Sequence, residues 1–204
     1  MASLLIKTAT AGLVKGGAAL AGFALTAVVT RALGAEESGL FLLGLSLLTA
    51  LSIFFRLGLN NLVLRAFGAE SLSPAAQSKL NTGLVWIVFA AVPFSLLTFL
   101  FADVISTAVF NKPQFAVVLQ WCILALPAVA LFMLLSSAFQ GLHRVVAVVV
   151  FQNLGISLIF LFAFSVLFAF TPDFLNAESA AAIYAFSALL ILVFGLWLWF
   201  RQAA

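Results

Sequence analysis

The chain has 204 residues, of which 66% are hydrophobic and 7% are charged, and its mean hydropathy is +1.30. Soluble domains carry about 25% charged residues, so this composition excludes a water-exposed globular domain and predicts an integral membrane protein. The net charge of +3 does not indicate a nucleic-acid partner. A basic excess in a membrane protein usually reflects its orientation in the bilayer instead.

Several kinds of chemical site are missing from the sequence. The single cysteine, Cys122, lies in an apolar run, so no disulfide can form within the chain. The single histidine, His143, lies beside Arg144 in a predicted loop. No Cys, His, Asp or Glu residues have metal-ligand spacing, and neither a Ser-His-Asp set nor a glycine-rich phosphate loop occurs. We therefore expect no metal, no cofactor and no bond-making enzyme.

Six stretches are long and apolar enough to cross about 30 Å of hydrocarbon. In chain order they are 9–30, 39–63, 83–102, 115–138, 145–170 and 180–200. They do not alternate with a period of two, so we predict helices and not barrel strands. The first stretch is interpreted as an uncleaved span. The predicted fold is all-α, a polytopic transmembrane bundle formed by residues 1–204 as one unit.

The polar segments between these spans predict an orientation. They are 31–38, 65–82, 102–114, 141–144 and 171–179. If the N-terminus is cytoplasmic, seven Lys and Arg residues lie inside and two, Arg31 and Lys112, lie outside. Because short cytoplasmic loops carry the excess of Lys and Arg, we predict six spans with both termini in the cytoplasm.

The second predicted span carries polar residues at helical spacing. Ser46, Thr49, Ser52, Arg56 and Asn60 recur every three or four residues and so lie on one face of a helix. One interpretation is that Arg56 snorkels to the cytoplasmic boundary, which Arg65 marks. The other is that Arg56 opens into a wet cavity that a substrate crosses.

The first span has a comparable stripe of small and polar residues. It runs from Thr8 to Thr30 and includes one cation, Lys15. Such a stripe is also typical of tight helix packing, because small residues let two helix backbones approach closely. For Lys15, which is nearer to the boundary, snorkelling is favoured over a role in a substrate path.

Residues 30–70 resemble the corresponding part of the bacterial polysaccharide and O-antigen flippases. These belong to the multidrug/oligosaccharidyl-lipid/polysaccharide exporter superfamily. The matching elements are Arg31-Ala-Leu-Gly34, the acidic pair Glu36 and Glu37 with Gly39 and Phe41, then Leu57-Gly58-Leu59 and Arg65. Many relatives have an acid before the Leu-Gly-Leu element, where this chain has Arg56. Beyond residue 80 the likeness is one of hydropathy and span length.

The resemblance implies a transporter of the bacterial inner membrane that moves a polyprenyl-diphosphate-linked sugar across the bilayer. It also implies two six-helix bundles around a central cavity, so we expect a second bundle, from downstream sequence or from another copy. Cations that could attract the diphosphate are Arg56, Lys15 and Arg65, and Thr49, Ser52 and Asn60 complete the candidate path. The alternatives are a drug or small-molecule exporter of the same superfamily and a non-transporting membrane scaffold subunit of a polysaccharide assembly system.

Overall fold

The computed structural model is all-α in the residues it describes, which are 2–144, 148, 154–171 and 175–203. Side chains are described for these residues except 2–16, 18, 19, 202 and 203. The described helices are α1 (Ala2–Arg56), α2 (Leu59–Glu70), α3 (Pro74–Leu100), α4 (Ala102–Ala108), α5 (Phe115–Gly141), α6 (Gly155–Phe170) and α7 (Ala177–Ala203).

Helix α1 contains a sharp break at Gly34. This residue has φ 76° and ψ −179°, a backbone conformation that only glycine adopts readily. Residues on both sides of the break, such as Thr26 and Leu45, line the same cavity. A straight helix would place these two residues about 28 Å apart, so the chain reverses direction at Gly34. The predicted polar segment 31–38 therefore does contain a break in α1.

A second break interrupts the predicted span 39–63, so its continuity was predicted wrongly. Helix α1 ends at Arg56, Leu57 has φ 40° and Gly58 has φ 78° with ψ 0°. Two turn hydrogen bonds, from Leu57 N to Phe54 O and from Asn61 N to Gly58 O, close the break. Leu57 and Leu59 continue the apolar run on both sides of Gly58, so hydropathy does not reveal the break, whereas the glycine permits it.

The predicted break over 65–82 is mostly helical. Helix α2 continues to Glu70 and α3 begins at Pro74, so residues 71–73 alone connect them. The Ser73 side chain accepts a hydrogen bond of 3.0 Å from Ala76 N, and Pro74 occupies the first helical position, where its missing N–H costs nothing. Most polar residues of this segment, such as Arg65, Glu70 and Lys79, are exposed on helices and not in a long loop.

Helix α5 lies at the centre of the bundle and packs against α1, α2, α3, α4 and α7. The approach of α2 is close at Gly141, where a Cβ atom would lie 2.7 Å from Phe67 Cβ and 2.8 Å from Leu64 O. At Gly44 of α1 a Cβ would lie 2.7 Å from the sulfur of Cys122, which is buried. Small residues thus let α1 and α2 contact α5 directly.

Two aromatic clusters show that the chain from Phe41 to Phe67 runs in the same direction as α7 from Tyr184 to Trp199. Near one end of the bundle, Trp199 packs edge-on against Phe67 and Phe139, with ring centroids 5.3 and 5.5 Å away. Toward the other end, Phe41 lies 5.6 Å from Phe160 and 6.4 Å from Tyr184. We call these the Trp199 end and the Gly34 end.

Four helical segments are long and apolar enough to cross a membrane. They are Leu20–Arg56, Pro74–Leu100, Phe115–Gly141 and Ala177–Arg201, and Gly155–Phe170 is a shorter apolar helix. The chain is therefore a multi-pass membrane protein. The predicted span 145–170 falls partly outside the described residues, since 145–147 and 149–153 are not among them.

Candidate functional site

A cavity of about 460 Å³ lies between the two halves of α1 and the helices α5, α6 and α7. Its position within α5 is central, because Val129, Phe132 and Met133 line it and α5 runs from Phe115 to Gly141. The remaining lining residues are Gly22, Leu25, Thr26, Leu45, Thr49, Ser52, Ile53, Arg56, Ile156, Ser157 and Tyr184. The walls are mostly apolar and carry one guanidinium.

Arg56 is the last residue of α1 and is held at the cavity wall by its own helix. The side chain is 9% exposed, and its Nε donates a hydrogen bond of 2.8 Å to the backbone oxygen of Ser52. Within the described residues no carboxylate neutralises it, since the salt bridge found there joins Lys79 to Glu70. A buried cation that pairs with a backbone oxygen alone retains donors for an anion.

The direction of the Arg56 side chain argues against snorkelling. Helix α2 lies between Arg56 and the Trp199 end, where Gly68 packs against the Gly141 backbone. Twelve helical residues span about 18 Å, well beyond the reach of an arginine side chain. The side chain instead bends back toward Ser52, away from that end. The guanidinium therefore stays inside the bundle.

The hydroxyl groups of the cavity supply acceptors. Thr26 donates to Gly22 O at 3.1 Å, Thr49 donates to Leu45 O at 2.8 Å, and Ser52 donates to Thr49 O at 2.9 Å. Because each hydroxyl proton bonds to its own helix, the oxygen keeps acceptor capacity. The cavity thus combines a cation for an anionic group with acceptors for a ligand that has hydroxyl donors.

Three of the predicted site residues, Thr49, Ser52 and Arg56, come together at this cavity. Asn60 does not, because the break at Leu57 and Gly58 interrupts the helical stripe. Its Oδ1 is buried without a hydrogen-bond partner in the described part of the chain.

The other two predicted cations have different outcomes. Arg65 is exposed and lines a separate groove. Lys15 belongs to the described part of α1, but its side chain lies outside the described residues, so its prediction remains untested.

Sequence reasoning missed the far wall of the cavity. Phe132, Met133 and Tyr184 come from α5 and α7, whose sequences have no polar stripe facing the cavity. Tyr184 is the single tyrosine of the chain, which is the one signal that could have singled it out. Apolar wall residues cannot be told from core residues by periodicity.

The separate groove, of about 590 Å³, lies at the corner between α2 and α3. Its lining residues are Asn61, Leu62, Arg65, Ala66, Glu70 and Lys79. Lys79 Nζ lies 3.1 Å from Glu70 Oε1, and the Ser73 hydroxyl donates to Glu70 Oε2 at 2.9 Å. The hydrogen bond from Lys79, followed by that from Ser73, lowers the pKa of the Glu70 carboxyl below its ordinary value.

Metal chemistry receives no support from the described side chains. Among them, no group of three or more His, Cys, Asp or Glu residues lies close enough together to hold a metal ion.

Comparison with known proteins identifies a family. A model of the family described as "polysaccharide biosynthesis protein" matches residues 4–203, which is nearly the whole chain. No curated protein matches the chain, and no solved structure does.

Proposed function

The chain belongs to the polysaccharide biosynthesis protein family, and we propose that it acts as a flippase for a lipid-linked oligosaccharide. The observation that carries the proposal is Arg56, a buried guanidinium without a carboxylate partner among the described residues, at the wall of a central cavity. A cation at this depth is costly in a membrane protein and commonly marks a substrate path.

In the proposed mechanism, the protein lowers the free-energy cost of moving the polar head group of the lipid-linked sugar through the bilayer. The diphosphate of a polyprenyl-linked sugar would bind the free donors of Arg56, since guanidinium groups pair well with phosphate oxygens. The hydroxyl oxygens of Thr49 and Ser52 would accept hydrogen bonds from the sugar. No covalent bond is made or broken in this scheme, so we propose a transporter and not an enzyme.

The proposed topology has six spans and places the Trp199 end in the cytoplasm of a bacterial inner membrane. The chain reversal at Gly34 supports the proposal that α1 contains two spans. The cations Arg65, Lys79, Arg144 and Arg201 belong to helix ends and turns at the Trp199 end, whereas Arg31 lies near Gly34. Short cytoplasmic segments carry such a basic excess, which supports cytoplasmic N- and C-termini.

The two alternatives fit the cavity less well. A scaffold subunit has no need for an unneutralised guanidinium in its interior, and an exporter of cationic drugs would be hindered by it. The family resemblance also implies a second six-helix bundle, which would cover the open side of the cavity. We propose that this partner comes from downstream sequence or from a second copy of the chain.

Substitution of Arg56 tests the proposal in cells whose polysaccharide export depends on this protein. Arg56→Gln should lower export about 10- to 100-fold, the range expected for losing a hydrogen bond to a charged group. Arg56→Lys should keep part of the export, because phosphate also accepts a lysine point charge. Export is measured as surface polysaccharide, with membrane levels of each variant quantified in parallel.

Matched control variants distinguish the effect of losing the charge at the cavity from the effect of losing a charge elsewhere. Arg144→Gln removes an exposed arginine near the Trp199 end, and Phe54→Leu changes a 62% exposed side chain beside the break; both should leave export unchanged. Wild-type export by Arg56→Gln at normal membrane levels would contradict the proposal.

A further inference from the structure

The groove between α2 and α3 has a charge arrangement that the proposed transport path does not use. Arg65 and Lys79 face the same groove as Glu70. Lys79 is engaged by Glu70, whereas Arg65 has no hydrogen-bond or ion-pair partner in the described structure. The groove therefore carries one unpaired guanidinium beside an ion pair.

The Glu70 carboxylate indicates where an anionic oxygen binds in this groove. It accepts hydrogen bonds from both the Lys79 ammonium and the Ser73 hydroxyl. Glu70 forms an ion pair with Lys79, with 3.1 Å between Oε1 and Nζ, and so neutralises it. Removing its charge would free Lys79 to join Arg65 in binding an external anion.

The position of the groove indicates the source of that anion. It runs along α2 to the start of α3, and one of its lining residues is the apolar Leu62, at 48% exposure. An apolar side chain next to basic side chains suits a lipid, whose acyl chains would lie against the helices and whose phosphate would lie in the groove.

We propose that the groove of Asn61, Arg65 and Lys79 binds the phosphate of an anionic membrane lipid. Arg65 provides a planar set of donors that suits phosphate oxygens, and the Asn61 amide provides a further donor. Glu70 competes with the lipid for Lys79 and so limits the affinity. This site is separate from the cavity at Arg56 and does not depend on the proposed transport.

Lipid titration of the purified full chain in detergent, followed by native mass spectrometry, tests this site. Phosphatidylglycerol should bind about fivefold more tightly than phosphatidylcholine, as expected for one basic charge at an anionic surface. Arg65→Gln should abolish this preference, whereas Glu70→Gln should increase it by a similar factor. Arg31→Gln, which removes an exposed cation near Gly34, should leave the preference intact.

Each contrary result overturns a stated part of the inference. The groove is not the site if Arg65→Gln and Arg31→Gln show the same preference for phosphatidylglycerol over phosphatidylcholine. The same conclusion follows if Glu70→Gln binds phosphatidylglycerol more weakly than the unmodified chain. Inorganic pyrophosphate is the free-phosphate probe. If it displaces phosphatidylglycerol at equal concentration, the groove recognises phosphate alone and the lipid assignment is wrong. Export by these variants is not part of the readout, so failure here leaves the role of Arg56 unaffected.

Discussion

The two breaks in the first seventy residues differ in what holds them. At Gly34 the chain reverses, and the Glu37 carboxylate accepts a 2.7 Å hydrogen bond from Ala177 N at the start of α7. At Leu57 and Gly58 there is no such bond to another helix among the described residues. There the position of the chain depends on α2 packing against α5 around Gly141.

This difference relates each break to its task. A reversal at the end of a bundle can be fixed by polar groups, since the N–H groups at a helix start attract a carboxylate. A break beside a cavity ends α1 just after Arg56 and lets the chain continue as α2, with apolar packing as its support. The break at Gly34 brings the two halves of α1 together in the bundle. The break at Leu57 and Gly58 sets the position of the Arg56 guanidinium.

Gly141→Ala should have the largest effect on the second break. The new Cβ would meet Phe67 Cβ and Leu64 O at 2.7 and 2.8 Å, so α2 would have to move. We expect a loss of about 3 kcal/mol, typical of overpacking, measured as thermal unfolding in detergent. Gly68→Ala is the matched control across the same contact, because its Cβ would lie 4.0 Å from the nearest atom. Equal stability of the two variants would show that this contact does not position α2.

Alanine and asparagine substitutions at Gly34 and Gly58 should show how strongly each break depends on glycine. Gly34 has φ 76° with ψ −179°, so both substitutions should cost about 2 kcal/mol of stability. Gly58 has a left-handed conformation with ψ 0°, so Gly58→Ala should cost about 1 kcal/mol and Gly58→Asn less, because asparagine tolerates this region. Gly39→Ala, at a position with open space and no positive φ, is the control. If Gly34→Asn unfolds at the same temperature as Gly39→Ala, the reversal does not depend on glycine.

Glu37→Ala should have the smallest effect, limited to the first break. It removes the carboxylate from the start of α7 and should cost about 1 kcal/mol, the usual value of a lost helix cap. Glu36→Ala removes the neighbouring exposed acid and should cost almost nothing. Thermal unfolding is measured for both variants. If Glu37→Ala and Glu36→Ala unfold at the same temperature, this role for Glu37 is contradicted.

The sequence predicted the helical class and singled out three polar residues of α1 that line the cavity, but not the break that separates Asn60 from them. Arg56, Ser52 and Thr49 were found because polar residues in an apolar chain reveal their common helix face. The break was hidden because Leu57 and Leu59 continue the apolar run and glycine is common inside membrane helices. Phe132 and Tyr184 were missed because which helices surround a cavity depends on packing, and hydropathy does not record it.

Thiol labelling tests the central claim, that Arg56 makes the cavity a wet, cationic site. In a Cys122→Ala background, a cysteine is placed at Thr49 in the cavity, at buried Leu48, or at exposed Phe54, and charged thiol reagents are applied to the protein in detergent. We predict that Thr49→Cys reacts fastest, and faster with a sulfonate reagent than with an ammonium reagent, a preference that Arg56→Gln removes. The account would be contradicted if Thr49→Cys is as unreactive as Leu48→Cys, or if its charge preference persists without Arg56.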